Sequence, residues 1–384
     1  MTGSSLYDLT FSELTDWLVK HSQPVYRARQ VFEALYQRGQ PDPSSWTTLP
    51  KPLRDELAAE FPTPGLSLAR QQTSADGTAK WLWKLPDGQS VETVMIPADG
   101  RPTAPSSRRA VGTPFGCRTV CVSTQVGCAY RCGFCASGMK GFFRDLTAGE
   151  IVQQVAKVNE ALKGSDPFSR GLTPPGSRVS NIVFMGMGEP LSNYDNLIRA
   201  IRIINSPDGL KIGARKITIS TVGLVPMMER LSKEGLQLEL AVSLHAPNDG
   251  IRGKLMPVNK KYPMVRLLAA CRAFVKATKR LITFEYILID GLNDQPQHAE
   301  ELAGRLKKLL CKVNLIPCHP IYSVPGTGTV PGTVVFKRPP EERMLAFEKK
   351  LREKGIACTL RQSRGLDIEG ACGQLRLRHE EQPQ

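Results

Sequence analysis

The sequence predicts an α/β protein in which six βα units curl into a partial, TIM-like (β/α)6 barrel, preceded by a small helical N-terminal domain and a β-hairpin linker. Two observations carry this. From Arg118 onward, short β-branched runs alternate with amphipathic stretches, the pattern of parallel strands joined by crossover helices. Through the first seventy or so residues, apolar side chains recur at helical spacing instead.

Taken in order, Phe11–Lys20, Tyr26–Tyr36 and Leu53–Phe61 read as helices, the second through its Val31/Leu35 and Phe32/Tyr36 pairs. That second helix also carries Arg27, Arg29 and Arg38 beside Tyr26 and Tyr36, a face suited either to a phosphate backbone or to plain solvation. Trp81–Leu85, the turn Pro86-Asp87-Gly88, and Val91–Ile96 read as a hairpin. Strands are expected at Thr119–Thr124, Asn181–Met185, Lys216–Thr221, Leu238–Leu244, Ile282–Ile289 and Val313–Ile316, with helices at Thr147–Leu162, Tyr194–Ile204 and Gln297–Leu309. Ala98–Gly116, Lys163–Arg178 and Tyr322–Pro340 are rich in Pro, Gly, Ser and Thr and read as long connections. The expected division is 1–70 helical, 71–116 hairpin and linker, 117–364 barrel, and 365–384 a C-terminal segment.

At 384 residues and 41% hydrophobic content the chain can bury a substantial core. No run of eighteen apolar residues suggests a membrane span, and the N-terminus, with Asp8 and no apolar core, does not read as a secretory signal. A net charge of +15, from 51 Lys and Arg against 36 Asp and Glu, suits a protein that meets a polyanion. Ten cysteines in a chain of this length do not make a disulfide scaffold, and a reducing cytoplasm is expected.

The densest chemistry lies in Cys128-Ala-Tyr-Arg-Cys132-Gly-Phe-Cys135. Electron-transfer clusters of the four-iron, four-sulfur type draw on four cysteines, so three thiolates leave one iron open to an exogenous ligand. The competing readings are a structural zinc site, which wants four N or S ligands, and inert buried thiols. The Cys-x3-Cys-x2-Cys spacing with Gly133-Phe134 resembles the signature of the radical S-adenosylmethionine (SAM) superfamily. That resemblance implies a [4Fe-4S] cluster on Cys128, Cys132 and Cys135, with SAM chelating the open iron.

Further motifs close successive strands: Met185-Gly-Met-Gly188-Glu189-Pro190, Ser220-Thr-Val-Gly223, and Ser243-Leu244-His245. Glycine admits a ligand close to the backbone, and Glu189 can accept from an ammonium group. With Glu92-Thr-Val-Met-Ile-Pro97, Cys121-Val-Ser-Thr-Gln-Val-Gly-Cys128, Ser243-Leu-His-Ala-Pro-Asn248 and Asp367-Ile-Glu-Gly-Ala-Cys372-Gly-Gln-Leu375, they make nearly the whole chain resemble the RlmN/Cfr family of radical SAM RNA methyltransferases. Glu189-Pro190 and Ile96-Pro97 are more similar to its adenine-C2 branch than to the C8 branch.

The resemblance implies the following roles. Gly188, Glu189, Ser220, Ser243, Leu244, His245 and the position of His319 hold SAM. Cys372 accepts a methyl group from one SAM, a second SAM yields the radical that activates it, Glu92 removes the C2 proton, and Cys121 resolves the protein–RNA adduct through a transient disulfide. A carboxylate buried at such a site is expected to have a raised pKa. The implied substrates are 23S ribosomal RNA and tRNA, and the implied partner is a reductase or flavodoxin-type electron donor; the protein is expected to be monomeric. The remaining Cys117, Cys271, Cys311, Cys318 and Cys358 read as small buried hydrophobes.

The chain departs from the family pattern in Pro317-Cys318-His319-Pro320, where the family has Asn at the position of His319, in a longer Ala98–Cys117 stretch, and in Glu369 and Gly370 beside Cys372. Outside the methyltransferase reading stand an RNA-binding or assembly factor that keeps the cluster for structure, and a zinc-binding regulatory protein.

Overall fold

The computed structural model describes residues 5–62, 65–97, 118–139, 141–163, 178–319, 321–322, 334–362 and 364–368. They form two compact units, one of residues up to 126 with 143–187 and 193–217, the other of 127–142, 188–192 and 218 onward.

The first unit begins with helices at Phe11–Lys20, Arg27–Phe32 and Lys51–Glu60. Thr10 and Glu13 form a reciprocal capping box at the first. Leu14, Leu18, Val31, Phe32, Leu53 and Leu57 are buried, and edge-to-face contacts join Phe11 to Phe32 and Trp17 to Phe61. The expected Tyr26–Tyr36 helix is altered: its second half, Glu33–Arg38, is wound as a π-helical turn that ends at Gly39 with φ of 69°.

Four antiparallel strands follow, β1 (Ser67–Thr73), β2 (Ala79–Lys84), β3 (Ser90–Pro97) and β4 (Arg118–Cys121), and β5 (Asn181–Phe184) adds to β4 in parallel. The expected hairpin is therefore β2–β3, and β1 is an addition to it. The helix Ala148–Leu162, begun by the Thr147/Glu150 capping box, is buried along most of its length. Arg144 braces its start by binding both Glu150 oxygens at 2.7 and 2.8 Å and Asp87 at 2.6 Å.

The second unit carries the parallel strands β6 (Ile217–Thr221), β7 (Glu239–Ser243), β8 (Ile282–Leu288), β9 (Cys311–Pro317) and β10 (Cys358–Leu360), hydrogen-bonded in that order. Helices Val225–Leu231, Asp249–Leu255, Met264–Thr278, Pro296–Leu306 and Glu341–Glu353 intervene. All six expected strands are present across the two units, with shifted ends. The first stops at Cys121 rather than Thr124, and the last helix of the expected set is Pro296–Leu306 rather than Gln297–Leu309. Within the stretch read as a loop from Tyr322, Ile321–Tyr322 and Val334–Phe336 pair as a short antiparallel ribbon. The class is thus α/β with a helical N-terminal module, as expected, while the antiparallel hairpin strands make the sheet mixed rather than purely parallel. Among the described residues no helix is long and apolar enough to cross a membrane.

Candidate active site

In the second unit, the three-cysteine loop is held at both ends by close backbone approach. Gly127 has φ of 77°, and a Cβ there would lie 1.9 Å from the carbonyl oxygen of Gly141, the oxygen that accepts from Cys128 N–H at 2.9 Å. Inside the loop, Cys135 N–H donates to Cys132 O at 3.0 Å, and Gly133 N–H reaches Leu255 O at 2.9 Å. Phe134 meets the ring of His245 edge-on with centroids 4.6 Å apart.

Burial pushes the Cys128 thiol up to about 12, with Cys135 and Glu189 adding to the rise, and it holds Cys132 well above the ordinary thiol range. The three sulfurs therefore sense one another electrostatically. Among the described residues, however, no three His, Cys, Asp or Glu side chains close around a single ion. Three soft thiol donors on one short loop suit the ligand chemistry of an iron–sulfur cluster.

Glu189 is wholly enclosed. One oxygen accepts from Leu191 N–H at 3.1 Å and the other from Val222 N–H at 2.8 Å, while burial lifts its pKa to about 7 against those bonds. Gly188 before it has φ of 98°. The sign of the linkage follows. Between about 4.5 and 7 the folded chain keeps a proton that the unfolded chain has lost, so stability falls as pH rises through that window. For the metal-free protein the decline attributable to this group is about 3 kcal/mol. Urea unfolding at pH 5 and pH 8 is expected to show it in the wild type and to lose that component in Glu189→Gln.

His245 sits in a left-handed conformation at φ of 57° after β7. Its Nδ1 accepts from Ile287 N–H at 3.0 Å, which leaves the proton on Nε2. Burial, reinforced by Arg252, lowers its pKa to about 3, so the ring is a neutral donor near pH 7. Leu244 is fully buried, and its N–H donates to Glu285 O at 3.0 Å. Ser220 and Ser243 are half-buried on β6 and β7. His319 follows β9, half-buried, its pKa lowered by burial and by Arg338 and Arg361.

In the first unit, Glu92 and Cys121 are both buried on adjacent strands. The β3–β4 register sets Val94 opposite Cys121, which places Glu92 one diagonal step away on the same face. Lys80, opposite Val94 on β2, shares that face and brings its ammonium to 3.7 Å from the Glu92 carboxylate. Ser123 Oγ donates to Glu92 O at 2.6 Å and accepts from Met187 N–H at 2.9 Å. Gln154 binds Ser123 N–H at 2.9 Å through Oε1 and Ser123 O at 3.0 Å through Nε2.

Cys372, Cys117, Glu369, Gly370, Pro320 and the Ala98–Gly116 stretch lie outside the described residues. Sequence reasoning passed over Lys80, Gln154 and Ser123 in the first unit, and Arg252, Asn293 and Glu285 in the second, all of them buried polar side chains. Single polar residues inside amphipathic stretches carry no periodic signal; their role rests on partners distant in sequence.

Comparison with known proteins adds the following. Residues 4–61 match the Ribosomal RNA large subunit methyltransferase N-terminal domain, and residues 175–303 match the Radical SAM superfamily. The chain is 45% identical over 374 residues to a probable dual-specificity RNA methyltransferase RlmN of Geobacillus kaustophilus, covering 97% of this chain and 93% of the relative. It is 43% identical to the protein of the same description in Bacillus cereus, covering 98% and 94%. A crystal structure of a radical SAM methyltransferase from Sphaerobacter thermophilus superimposes with a TM-score of 0.84 at 46% identity, covering 97% of this chain and 99% of that one.

Proposed function

Because the chain belongs to the RlmN family of dual-specificity RNA methyltransferases, radical SAM enzymes, we propose that it methylates C2 of adenosine in 23S ribosomal RNA and in tRNA through a methyl-cysteine intermediate. The observation that carries this reading is the shared face of Glu92 and Cys121, a buried carboxylate and a buried thiol that a protein using its cluster only for structure would not need.

C2 of adenine is an electron-poor carbon and does not attack a sulfonium methyl as an ordinary nucleophile. The work is divided among residues of the chain instead. Cys128, Cys132 and Cys135 hold the cluster, which when bound supplies the electron that cleaves SAM to a 5′-deoxyadenosyl radical. Glu189, already accepting two backbone N–H bonds, receives the SAM ammonium, Gly188 leaves room for it, and Ser220, Ser243 and the backbone at Leu244 supply polar contacts. His245 offers its Nε2 proton, and His319 stands where the family has an amide side chain.

Cys372 takes the sulfonium methyl of one SAM by displacement, releasing S-adenosylhomocysteine; a second SAM is consumed in activating that methyl. Once the carbon is bonded to C2, the adduct radical gives up one electron, which the oxidised cluster would take back, and Glu92 removes the C2 proton. The neighbouring Lys80 ammonium favours Glu92 as the carboxylate, the form that accepts a proton. Cys121 then attacks the Cys372 sulfur: an S–S bond forms, the S–C bond breaks, and the methylated base leaves as its carbon is protonated. Each turnover therefore consumes reducing equivalents, which we assign to a flavodoxin-type or other reductase donor in a reducing cytoplasm, acting on a monomer.

Nucleoside mass spectrometry of 23S ribosomal RNA and tRNA from cells with and without the gene tests the reading. 2-Methyladenosine is expected to disappear from both RNAs on deletion. Unchanged 2-methyladenosine, or the loss of 8-methyladenosine in its place, overturns it.

A further inference from the structure

Arg252, on the short helix Asp249–Leu255, is fully buried, yet neither its sequence context nor the roles assigned above use it. Its guanidinium donates from Nη2 to Val222 O at 2.7 Å and Ser243 O at 3.3 Å, and from Nη1 to Asn259 Oδ1 at 2.8 Å and Tyr262 O at 3.4 Å. All four acceptors are neutral. The Nε–H is buried with no acceptor among the described residues. A cation enclosed by neutral dipoles alone is expensive to bury unless a negative charge lies near it.

The nearby charges are informative. Burial lowers the Arg252 pKa to about 10, and the charges of Cys132, Asp249 and Cys271 act against that fall, so the guanidinium stays cationic near pH 7. The helix that carries Arg252 is also tied to the cysteine loop, since Leu255 O accepts from Gly133 N–H, between Cys132 and Cys135. Arg252 binds Val222 O while Val222 N–H binds Glu189, so the backbone of one residue links the guanidinium to the carboxylate whose charge Cys128 feels. Arginine remains charged when buried where lysine readily gives up its proton.

We infer that Arg252 is a positioning residue whose fixed positive charge balances the thiolate-held cluster and stabilises its reduced state. The inference rests on the reading of Cys128, Cys132 and Cys135 as cluster ligands. On reduction one electron enters the cluster from the donor and no atom is transferred, so the product is one unit more negative and is favoured by the adjacent cation. A structural tie alone would fasten β6, β7 and the helix together without affecting that equilibrium.

The test is an EPR-monitored redox titration of anaerobically reconstituted holoenzyme, with dithionite as the electron source, on wild type, Arg252→Gln and Arg252→Lys. Gln keeps hydrogen-bonding capacity without charge, and Lys keeps the charge. At a fixed ambient potential the reduced-to-oxidised ratio is expected to fall about tenfold in Arg252→Gln, equivalent to about 59 mV for a one-electron couple, and by about threefold or less in Arg252→Lys. Retention of iron by Arg252→Lys but not by Arg252→Gln would support the same charge dependence. Wild-type ratios in both variants, or loss of iron from both while the metal-free proteins melt as wild type does, would reduce Arg252 to a structural tie and overturn the inference. Wild-type protein that takes up no iron would overturn the cluster reading, and the inference with it.

Discussion

Cys121→Ala is expected to stop the enzyme with RNA covalently attached through Cys372, approaching one adduct per chain. The argument is chemical. Joining the activated carbon to C2 makes a thioether between protein and base, which water does not cleave under mild conditions; only a second thiolate attacking sulfur can release it. Cys121 is buried at the end of β4, on the face that also presents Glu92 and Lys80, so bulk thiols have poor access to substitute for it. Replacing it with alanine removes the nucleophile and little volume, and the strand pairing of β4 with β3 and β5 uses main-chain groups only. Denaturing electrophoresis of the variant after turnover with SAM, reductant and RNA should show a retarded band that ribonuclease collapses to a nucleotide-sized mass increment on Cys372. If methylated RNA is released at the wild-type rate and no adduct forms, Cys121 is not the resolving thiol.

The second large effect is expected from Cys132→Ala, which should abolish iron retention, SAM cleavage and methyl transfer together while leaving RNA binding within about twofold, because a cysteine brings no positive charge with which to hold a phosphate. Cys132 adjoins Gly133, whose N–H is tied to Leu255 O, so its loss is expected to take a ligand from the anchored part of the loop. Elemental analysis and anaerobic 5′-deoxyadenosine release measure the first two losses, and filter binding measures the third. Stoichiometric zinc in the wild type, or 5′-deoxyadenosine from the variant at the wild-type rate, would refute the assignment of the triad.

Much of this was legible in the sequence because it is written in short periods. The strands of the second unit announce themselves as β-branched runs, and the cysteine loop, Gly188-Glu189 and Ser243-Leu244-His245 are contiguous, so their placement at strand ends followed directly. What stayed hidden lacks local period. The strand Ser67–Thr73 is mostly polar with no buried residue, and it is held by main-chain pairing to Ala79–Lys84, so no apolar alternation marks it. The π turn at Glu33–Arg38 carries an ordinary helical pattern of apolar residues, and one-residue widening leaves no compositional mark. Nothing adjacent in sequence marks Arg252, because its acceptors come from Val222, Ser243, Asn259 and Tyr262, on other segments of the chain. Lys80 and Glu92 become a pair only once the hairpin register is known.

The early end of β4 follows from Gln154. A primary amide sets a carbonyl oxygen and an N–H side by side in one plane, and Gln154 turns them to the N–H and C=O of Ser123, while its oxygen also accepts from Thr93 Oγ1 and its nitrogen also donates to Glu150 O. Gln154 thus serves as a strand one residue long, grafted from a helix onto the edge where the ladder stops. This explains why the chain can turn away after Cys121 without leaving main-chain groups unmet, and it makes the turn depend on an amide specifically. A glutamate at position 154 has the same shape but no N–H to give, so the backbone between Cys121 and Cys128 would lose half of its template.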